Sequence, residues 1–383
     1  MPRWAQFAIF LSLTLLIYGG AHFFVYRSFA GMMGLAPGRA LWALRTFFIV
    51  AALSFIASRL LLEWGLNPAV RVSYWAAALW MGLFLYLLLG CLVAYPLYGV
   101  VSWFAPAGAA RAGKWLSLAV VVAAVATSVA AYVEACHRLK IVDLDIPVKG
   151  GSPALDGFTI VQLTDIHLGV IVDGGRLEKI VATVNGLHPD LVVVTGDLMD
   201  ENADRQLALA DPLQRIQSRY GLLAVTGNHE YYAGAEKIIR HGAEIGMRFL
   251  LNEKIVLPNG LVVCGLNDPT AARMGGAKVS LADVLGDAGR TAPVVLLHHQ
   301  PTIFPQAGDL GVDLMLSGHT HNGQLWPLAR ISKRIYPYVH GLYVRGASRL
   351  YVSAGVGTWG PPMRLAAAPE IVRIRLRTGT SAL

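Results

Sequence analysis

The sequence predicts an α/β protein made of two physically different parts, an N-terminal bundle of transmembrane helices followed by a layered α/β domain. Three observations carry that prediction. Of the 383 residues 55% are hydrophobic and the mean hydropathy is +0.51, too apolar for a wholly soluble chain. The apolar residues crowd into the first third. Beyond Lys140, short Val- and Leu-rich runs alternate with Gly, Asp, Asn and His. The expected division places residues 1–137 in the bundle and 138–383 in the α/β domain.

A helix needs about 20 mostly apolar residues to cross the hydrocarbon of a bilayer. Phe7 to Tyr26, Leu41 to Leu62, Tyr74 to Gly99 and Trp115 to Val133 each meet that length, so four spans are expected. Arg45 and Arg59 lie near the ends of the second, where their heads can snorkel to the interface. Trp4, Trp64, Tyr74, Trp103 and Trp115 fall at span ends, as interfacial aromatic belts require. The first segment is too long, and too poor in small-x-small sites, for a cleaved signal peptide. The polar residues Thr14, His22, Thr46, Ser54 and Thr127 are scattered and no acidic residue lies mid-span, which argues for an anchor over a transport path. His22 reads as an interfacial or helix-packing residue.

An even number of spans puts both termini on one side of the membrane. Arg3, Arg59, Arg71, Arg138 and Lys140 stand on that side and Arg27, Arg39, Arg45, Arg111 and Lys114 on the other, a tie that only Lys149 breaks. The expectation is a multi-pass cell-membrane protein whose C-terminal domain faces the cytoplasm, by that slim margin.

The net charge of +8 and pI near 9.4 come without a dense Lys/Arg run or a basic stripe interleaved with aromatics, so no nucleic-acid partner is expected. Cys91, Cys136 and Cys264 are isolated and read as buried small hydrophobes.

In the second part, Phe158 to Leu163, Leu191 to Val194, Leu222 to Val225, Val262 to Leu266, Val294 to Leu297 and Val312 to Leu316 read as buried strands. Gly175 to Asn185 and Ala235 to Ile245 read as helices, and the alternation argues for a sheet covered on both faces. Polar residues follow the strands. Asp165 and His167 come after the first, Gly196 and Asp197 after the second, and Gly227, Asn228, His229 and Glu230 after the third. His298 and His299 follow the fifth, and Gly318, His319, Thr320 and His321 the sixth. Each motif alone is an ordinary turn or helix cap. Together they converge, because loops at the carboxyl ends of strands in an α/β sheet gather along one edge.

The donors are carboxylates, imidazoles and one amide, with no thiolate, a set suited to two divalent ions such as Mn, Fe or Zn. A carboxylate such as Asp197 has two oxygens and can bridge a pair of ions about 3.5–4 Å apart. One of His298 and His299 could instead be a satisfied core histidine.

Thr164 to His167 (TDIH), Gly196–Asp197 (GD), Gly227 to Glu230 (GNHE), His298 to Pro301 (HHQP) and Gly318 to His321 (GHTH), in this order, resemble the calcineurin-like metallophosphoesterase family. The likeness covers roughly Val142 to Leu383. The strand before TDIH, with Gly323, Gln324 and Pro327, looks like the family's bacterial membrane-associated branch. The resemblance implies an α/β/β/α metallophosphoesterase domain. It further implies one metal on Asp165, His167, Asp197 and His321 and a second on Asp197, Asn228, His299 and His319. His229 would stabilise the phosphate or protonate the leaving oxygen, and Glu230 would orient His229. Asn322 stands where that branch often has glycine.

The expected activity is metal-dependent hydrolysis of a phosphate ester or pyrophosphate, in which a metal-bridging hydroxide attacks phosphorus. The substrate is a phosphorylated small molecule or lipid. The anchor favours lipid-linked or nucleotide-lipid phosphates, because members of the resembled branch cleave the pyrophosphate of UDP-diacylglucosamine. The competing expectation is a catalytically silent metal-binding sensor, against which the retained His229 argues.

Overall fold

The computed structural model describes residues 3–150, 152–200, 203 and 206–378, and leaves the side chains of residues 3–11 and 14 outside that description. Trp4 and Thr14 therefore lie outside the described side chains. The chain divides into two compact units, one of Met1–Tyr132 with Gly360–Pro362 and one of Val133–Trp359 with Met363–Leu383.

The first unit is helical: α1 (Arg3–Met32), α2 (Arg39–Trp64), α3 (Pro68–Phe104) and most of α4 (Pro106–His137). Among the described residues α2, α3 and α4 are long and apolar enough to cross a membrane. Part of the first expected span falls on undescribed side chains. Helix α3 starts where Asn67 accepts a hydrogen bond from the Val70 N–H at 3.0 Å and Pro68 needs no donor. His22 is a packing residue: it stacks on Phe84 with centroids 3.6 Å apart and its Nε2 accepts from Trp80 Nε1 at 3.1 Å. Trp64, Trp103 and Trp115 are exposed as a belt needs, but Tyr74 is buried against Phe55, where helix packing overrides its position near a span end. Cys91 and Cys264 are buried, whereas Cys136, near the end of α4, is exposed.

The second unit holds two six-stranded sheets. Its further elements are β1 (Lys140–Pro147), β2 (Thr159–Leu163), α5 (Gly174–Gly186), β3 (Leu191–Thr195), β4 (Leu222–Val225), α6 (Asn228–Ala233), α7 (Ala235–Glu244), β5 (Met247–Phe249), β6 (Glu253–Val256) and β7 (Val262–Gly265). Three short helices follow, α8 (Thr270–Arg273), α9 (Leu281–Leu285) and α10 (Ala288–Thr291). The chain continues through β8 (Val294–Leu297), α11 (Phe304–Asp309), β9 (Leu314–Ser317), α12 (Ala329–Ile335), β10 (Gly341–Arg345), β11 (Ser348–Val352) and β12 (Glu370–Arg377). One sheet runs β1-β12-β2-β3-β4-β5 and the other β10-β11-β9-β8-β7-β6. In the first, β2, β3, β4 and β5 are parallel; in the second, β7, β8, β9 and β11 are.

Period-two alternation decides which side chains meet. Ile160, Leu191, Val193, Leu223 and Val225 of the first sheet share a core with Val263, Val295, Leu297, Leu314 and Leu316 of the second, so the sheets pack face to face. The intervening residues Cys264, Leu296, Met315 and Val352 pack against Leu281, Leu285, Phe304 and Ala307 from α9 and α11. Each fully buried Val or Leu contributes about 1.5–3 kcal/mol to this core. Helix α5 buries Leu177, Ile180, Val181 and Val184, the i, i+3, i+4, i+7 stripe of a surface helix. The layering is thus α/β/β/α. The last expected strand starts at Leu314 rather than Val312, where its pairing with Val295 of β8 and Arg349 of β11 begins, while the Asp313 carboxylate accepts from the N–H groups of Lys149 and Val294.

Candidate metal centre

The parallel runs β2-β3-β4 and β7-β8-β9 end on the same edge, and the loops that follow β2, β3, β4, β8 and β9 bring the expected residues together. Asp165 Oδ1 lies 3.3 Å from His321 Nε2, which faces His167 Nε2 at 3.0 Å. Asp197 Oδ2 lies 3.7 Å from His167 Nε2 and 3.1 Å from His299 Nε2. His319 Nδ1 stands 3.2 Å from that same His299 nitrogen. Asp165, His167 and His321 form one group whose donor atoms lie within 4.8 Å of one another, and Asp197, His299 and His319 form another. His229 joins His167 and Asp197 in a third. His298, one residue from His299, belongs to none of these groups, and burial pushes its imidazole down to about 4.

Local backbone shape is fixed for this purpose. Asp165, His167, Asp197, His319 and His321 all adopt positive φ, between 49° and 72°, a conformation that costs L-residues energy and clusters at functional sites. Two glycines allow the loops to close. A Cβ on Gly196, itself at φ +95°, would fall 2.6 Å from His299 Nδ1, and one on Gly318 would strike the Asp165 carboxylate.

The electrostatics follow from burial. Burial raises the Asp165 carboxyl, outweighing the pull of His299 and His167. Burial would raise Asp197 too, but His299 and His167 hold it well below the usual carboxylate range. His319 is pushed down to about 4 by burial, and His321 is lowered by burial and by the nearby His167 and Arg364. Burial would lower His299 as well, but the Asp197 and Asp165 carboxylates raise it well above the ordinary imidazole value. The ionised Asp197 and the lowered His319 and His321 are in the states a cation demands of its ligands, whereas His299 and Asp165 would each give up a proton to one. Asn228 fits as well: its Oδ1 is buried without a hydrogen-bond partner, as suits an amide oxygen that serves as a cation ligand.

One expectation changes. Glu230 does not address the His229 ring. Its carboxylate accepts from the N–H groups of Asp197 at 2.9 Å, Leu198 at 2.7 Å and Gly227 at 2.5 Å, tying the loops after β3 and β4 together. The carboxylate at His229 is Asp200, with Oδ1 3.3 Å from His229 Nδ1 and 3.4 Å from His167 Nδ1. Asp200 escapes a reading of the sequence because an acid three residues past Asp197 resembles any turn carboxylate. Burial would lower His229, but the bond to Asp200 prevails and raises it to about 9. Arg364 escapes it as well. It is fully buried, donates to Gly357 O at 2.8 Å and Ala367 O at 2.9 Å, and sets Nη2 3.2 Å from His321 Nδ1. Asn322 turns its amide to Ala366 O at 3.4 Å.

The mouth carries two exposed rings. Trp359 and Tyr232 flank His229 with centroids 6.1 Å and 5.7 Å away. Gln324 clasps Trp359, accepting its N–H at 2.9 Å and donating to its carbonyl at 2.8 Å.

A two-sheet α/β sandwich with carboxylate, imidazole and amide donors gathered on one edge defines a metal-binding hydrolase fold, and comparison with known proteins specifies which. The chain belongs to the calcineurin-like phosphoesterase family, whose profile matches residues 158–323. It is similar to a zebrafish (Danio rerio) transmembrane protein with metallophosphoesterase domain, 37% identical over 272 residues, covering 68% of this chain and 62% of the relative. An uncharacterized metallophosphoesterase of Helicobacter pylori strain J99 is 37% identical over 219 residues, 57% of this chain and 59% of the relative. One from Aquifex aeolicus is 34% identical over 221 residues, 57% of this chain and 84% of the relative. The chain spans about six-tenths of the length of the first two, at 62% and 59%. Relatives occur in vertebrates as well as bacteria, so the likeness extends beyond the bacterial branch. The family membership and the donor groups make this edge a candidate metal centre, and among the described residues α2, α3 and α4 are long and apolar enough to cross a membrane.

Proposed function

We propose that the chain is a multi-pass membrane phosphoesterase whose second unit hydrolyses a phosphate ester or pyrophosphate with two divalent ions. In this reading Asp165, His167 and His321 would hold one ion, Asn228, His299 and His319 would hold the other, and Asp197 would serve both. The observation that carries it is the Asp197 carboxylate, which lies 3.7 Å from His167 Nε2 on one side and 3.1 Å from His299 Nε2 on the other.

When bound, a pair of divalent ions supplies Lewis acidity that acidifies a shared water and clamps the oxygens of an in-line displacement. The chain's own residues do the rest. Asp197 and the imidazoles around it set the geometry, and Glu230 fixes the loop that carries Asp197. His229, held protonated by Asp200, donates its proton to the departing oxygen and stabilises the charge growing on the phosphoryl group. Trp359 and Tyr232 flank the leaving-group side, which supports an organic, ring-bearing or apolar leaving group. The ions are drawn from Mn, Fe and Zn, as the N/O donor set suggests.

The test uses the full chain in detergent or nanodiscs. Loaded with Mn, it should turn over a generic aryl phosphodiester and carry two ions per chain by elemental analysis. Asp197→Ala should lose both turnover and metal, and His229→Ala turnover alone. Inertness toward every mono- and diester tried, with both ions bound, would instead favour a silent metal-binding sensor. The cytoplasmic location of the domain is tested by a reporter fused to the C-terminus.

A further inference from the structure

We propose that the segment from Trp326 to Ile335, beside the metal centre, is an interfacial element that seats the second unit on an anionic lipid surface. Helix α12 exposes Ile331 (52%) and Ile335 (67%), one turn apart on a single face, and Trp326 just before it is 47% exposed. The remaining surface of the helix carries Arg330, Lys333 and Arg334, and among the described residues no ion pair forms with any of the three. Arg330 stacks its guanidinium 5.8 Å over the Trp326 ring, leaving a cation and an aromatic at one level.

The charge is one-sided over a long stretch. No Asp or Glu occurs between Asp313 and Glu370; of the basic residues in that stretch Arg345 pairs with Asp309 and Arg364 is buried, which leaves Arg330, Lys333 and Arg334 on the helix as the exposed cluster. Large exposed aliphatics with a Trp and unopposed cations form the pattern that lies in a headgroup layer, apolar face down and basic side chains against anionic lipid. A soluble anionic partner would explain the cations but not the two isoleucines.

Position gives the element its consequence. Tyr336, the residue after α12, places its hydroxyl 2.8 Å from His319 Nε2, and Thr320 Oγ1 donates to Val339 O at 2.5 Å. Seating this segment in headgroups would bring the donor groups to the depth of a lipid phosphate. That consequence rests on the proposed hydrolase; the seating does not.

The experiment is spin-label depth measurement on the full chain in nanodiscs, with Cys136→Ser to remove the exposed thiol. Labels at Ile331→Cys and Ile335→Cys are compared with one at Val256→Cys, exposed on β6, the edge strand at the other end of the sheet from β10, which follows α12 in the chain. In discs containing phosphatidylglycerol, the ratio of oxygen to nickel-chelate collisions at 331 and 335 should shift to favour oxygen, while 256 stays aqueous. The shift should be lost with Lys333→Glu/Arg334→Glu, whose fold is checked by an unchanged unfolding midpoint. Aqueous readings at 331 and 335 in every lipid would overturn the proposal. So would shielding from both collision agents, which means a protein partner, or equal depth in pure phosphatidylcholine, which removes the role of the cations. Because no readout involves turnover, a chain without phosphoesterase activity would still reveal whether the segment enters the headgroup layer.

Discussion

Asp200 Oδ1 stands 3.3 Å from His229 Nδ1, and this contact makes His229 a protonated, oriented ring. Asparagine at 200 keeps the shape and removes the charge. Asp200→Asn should lower kcat roughly 10–100-fold, the usual effect of losing a carboxylate behind a functional imidazole. Steady-state kinetics on an aryl phosphodiester checks this, with KM little changed; an unaltered kcat would mean the contact has no chemical role.

Glu230 is fully buried and accepts from the N–H groups of Asp197, Leu198 and Gly227. Glu230→Ala orphans these donors, and leaving a buried donor unsatisfied costs about 1–3 kcal/mol. The unfolding midpoint should drop accordingly, whereas His229→Ala should leave it nearly unchanged. Equal midpoints for the two variants would contradict the clasp.

Trp359 is 56% exposed and clasped by Gln324 next to His229. If it supports the leaving group, Trp359→Ala should raise KM for aryl phosphodiesters about 2–10-fold, as an aromatic contact suggests, with kcat preserved. Alkyl esters should respond less. A loss confined to kcat would place the ring in the chemistry instead.

Glu370 predicts a pH effect on stability away from the metal ligands. Burial would raise its carboxyl above the ordinary 4.5, but hydrogen bonds from His340, the Ala354 N–H and the Tyr351 hydroxyl bring it below that value. A carboxyl depressed in the folded state stabilises the fold fully above 4.5, and that stabilisation fades as pH falls through the folded value. Glu370→Gln should therefore be less stable than the parent at neutral pH, with the gap closing in acid. Denaturant titrations across that range measure it; a gap independent of pH would show that the charge plays no part.

Much of the fold and site is legible in the sequence because apolar strands and their ligand loops announce themselves together. β3, β4 and β8 are Val- and Leu-rich runs buried on both faces, β2 and β7 are nearly so, and the residue types that follow them are few. Six strands, β1, β5, β6, β10, β11 and β12, are not announced by the sequence. Of these, β1 and β12 carry charge at alternate positions: Asp143 pairs with Arg373 and Arg375, and Asp145 with Arg377, so no apolar run marks them. Asp200 and Arg364 are illegible for a different reason. Their significance lies in contacts across 29 and 43 residues of chain, to His229 and His321, and neither spacing leaves a local signature. Glu230 suggests in sequence an action on its neighbour, but a helix turns its side chain away from the adjacent residue and onto the backbone N–H groups at the helix start.

The central claim is that Asp197 lies between two cations. Anomalous diffraction at the manganese edge from crystals of the Mn-loaded chain tests it most directly. Two peaks about 3.5–4 Å apart should appear, the spacing of two-metal sites, with the Asp197 carboxylate between them and Asn228 Oδ1 on the peak shared with His299 and His319. A single peak, or two peaks that Asp197 does not join, would contradict the account.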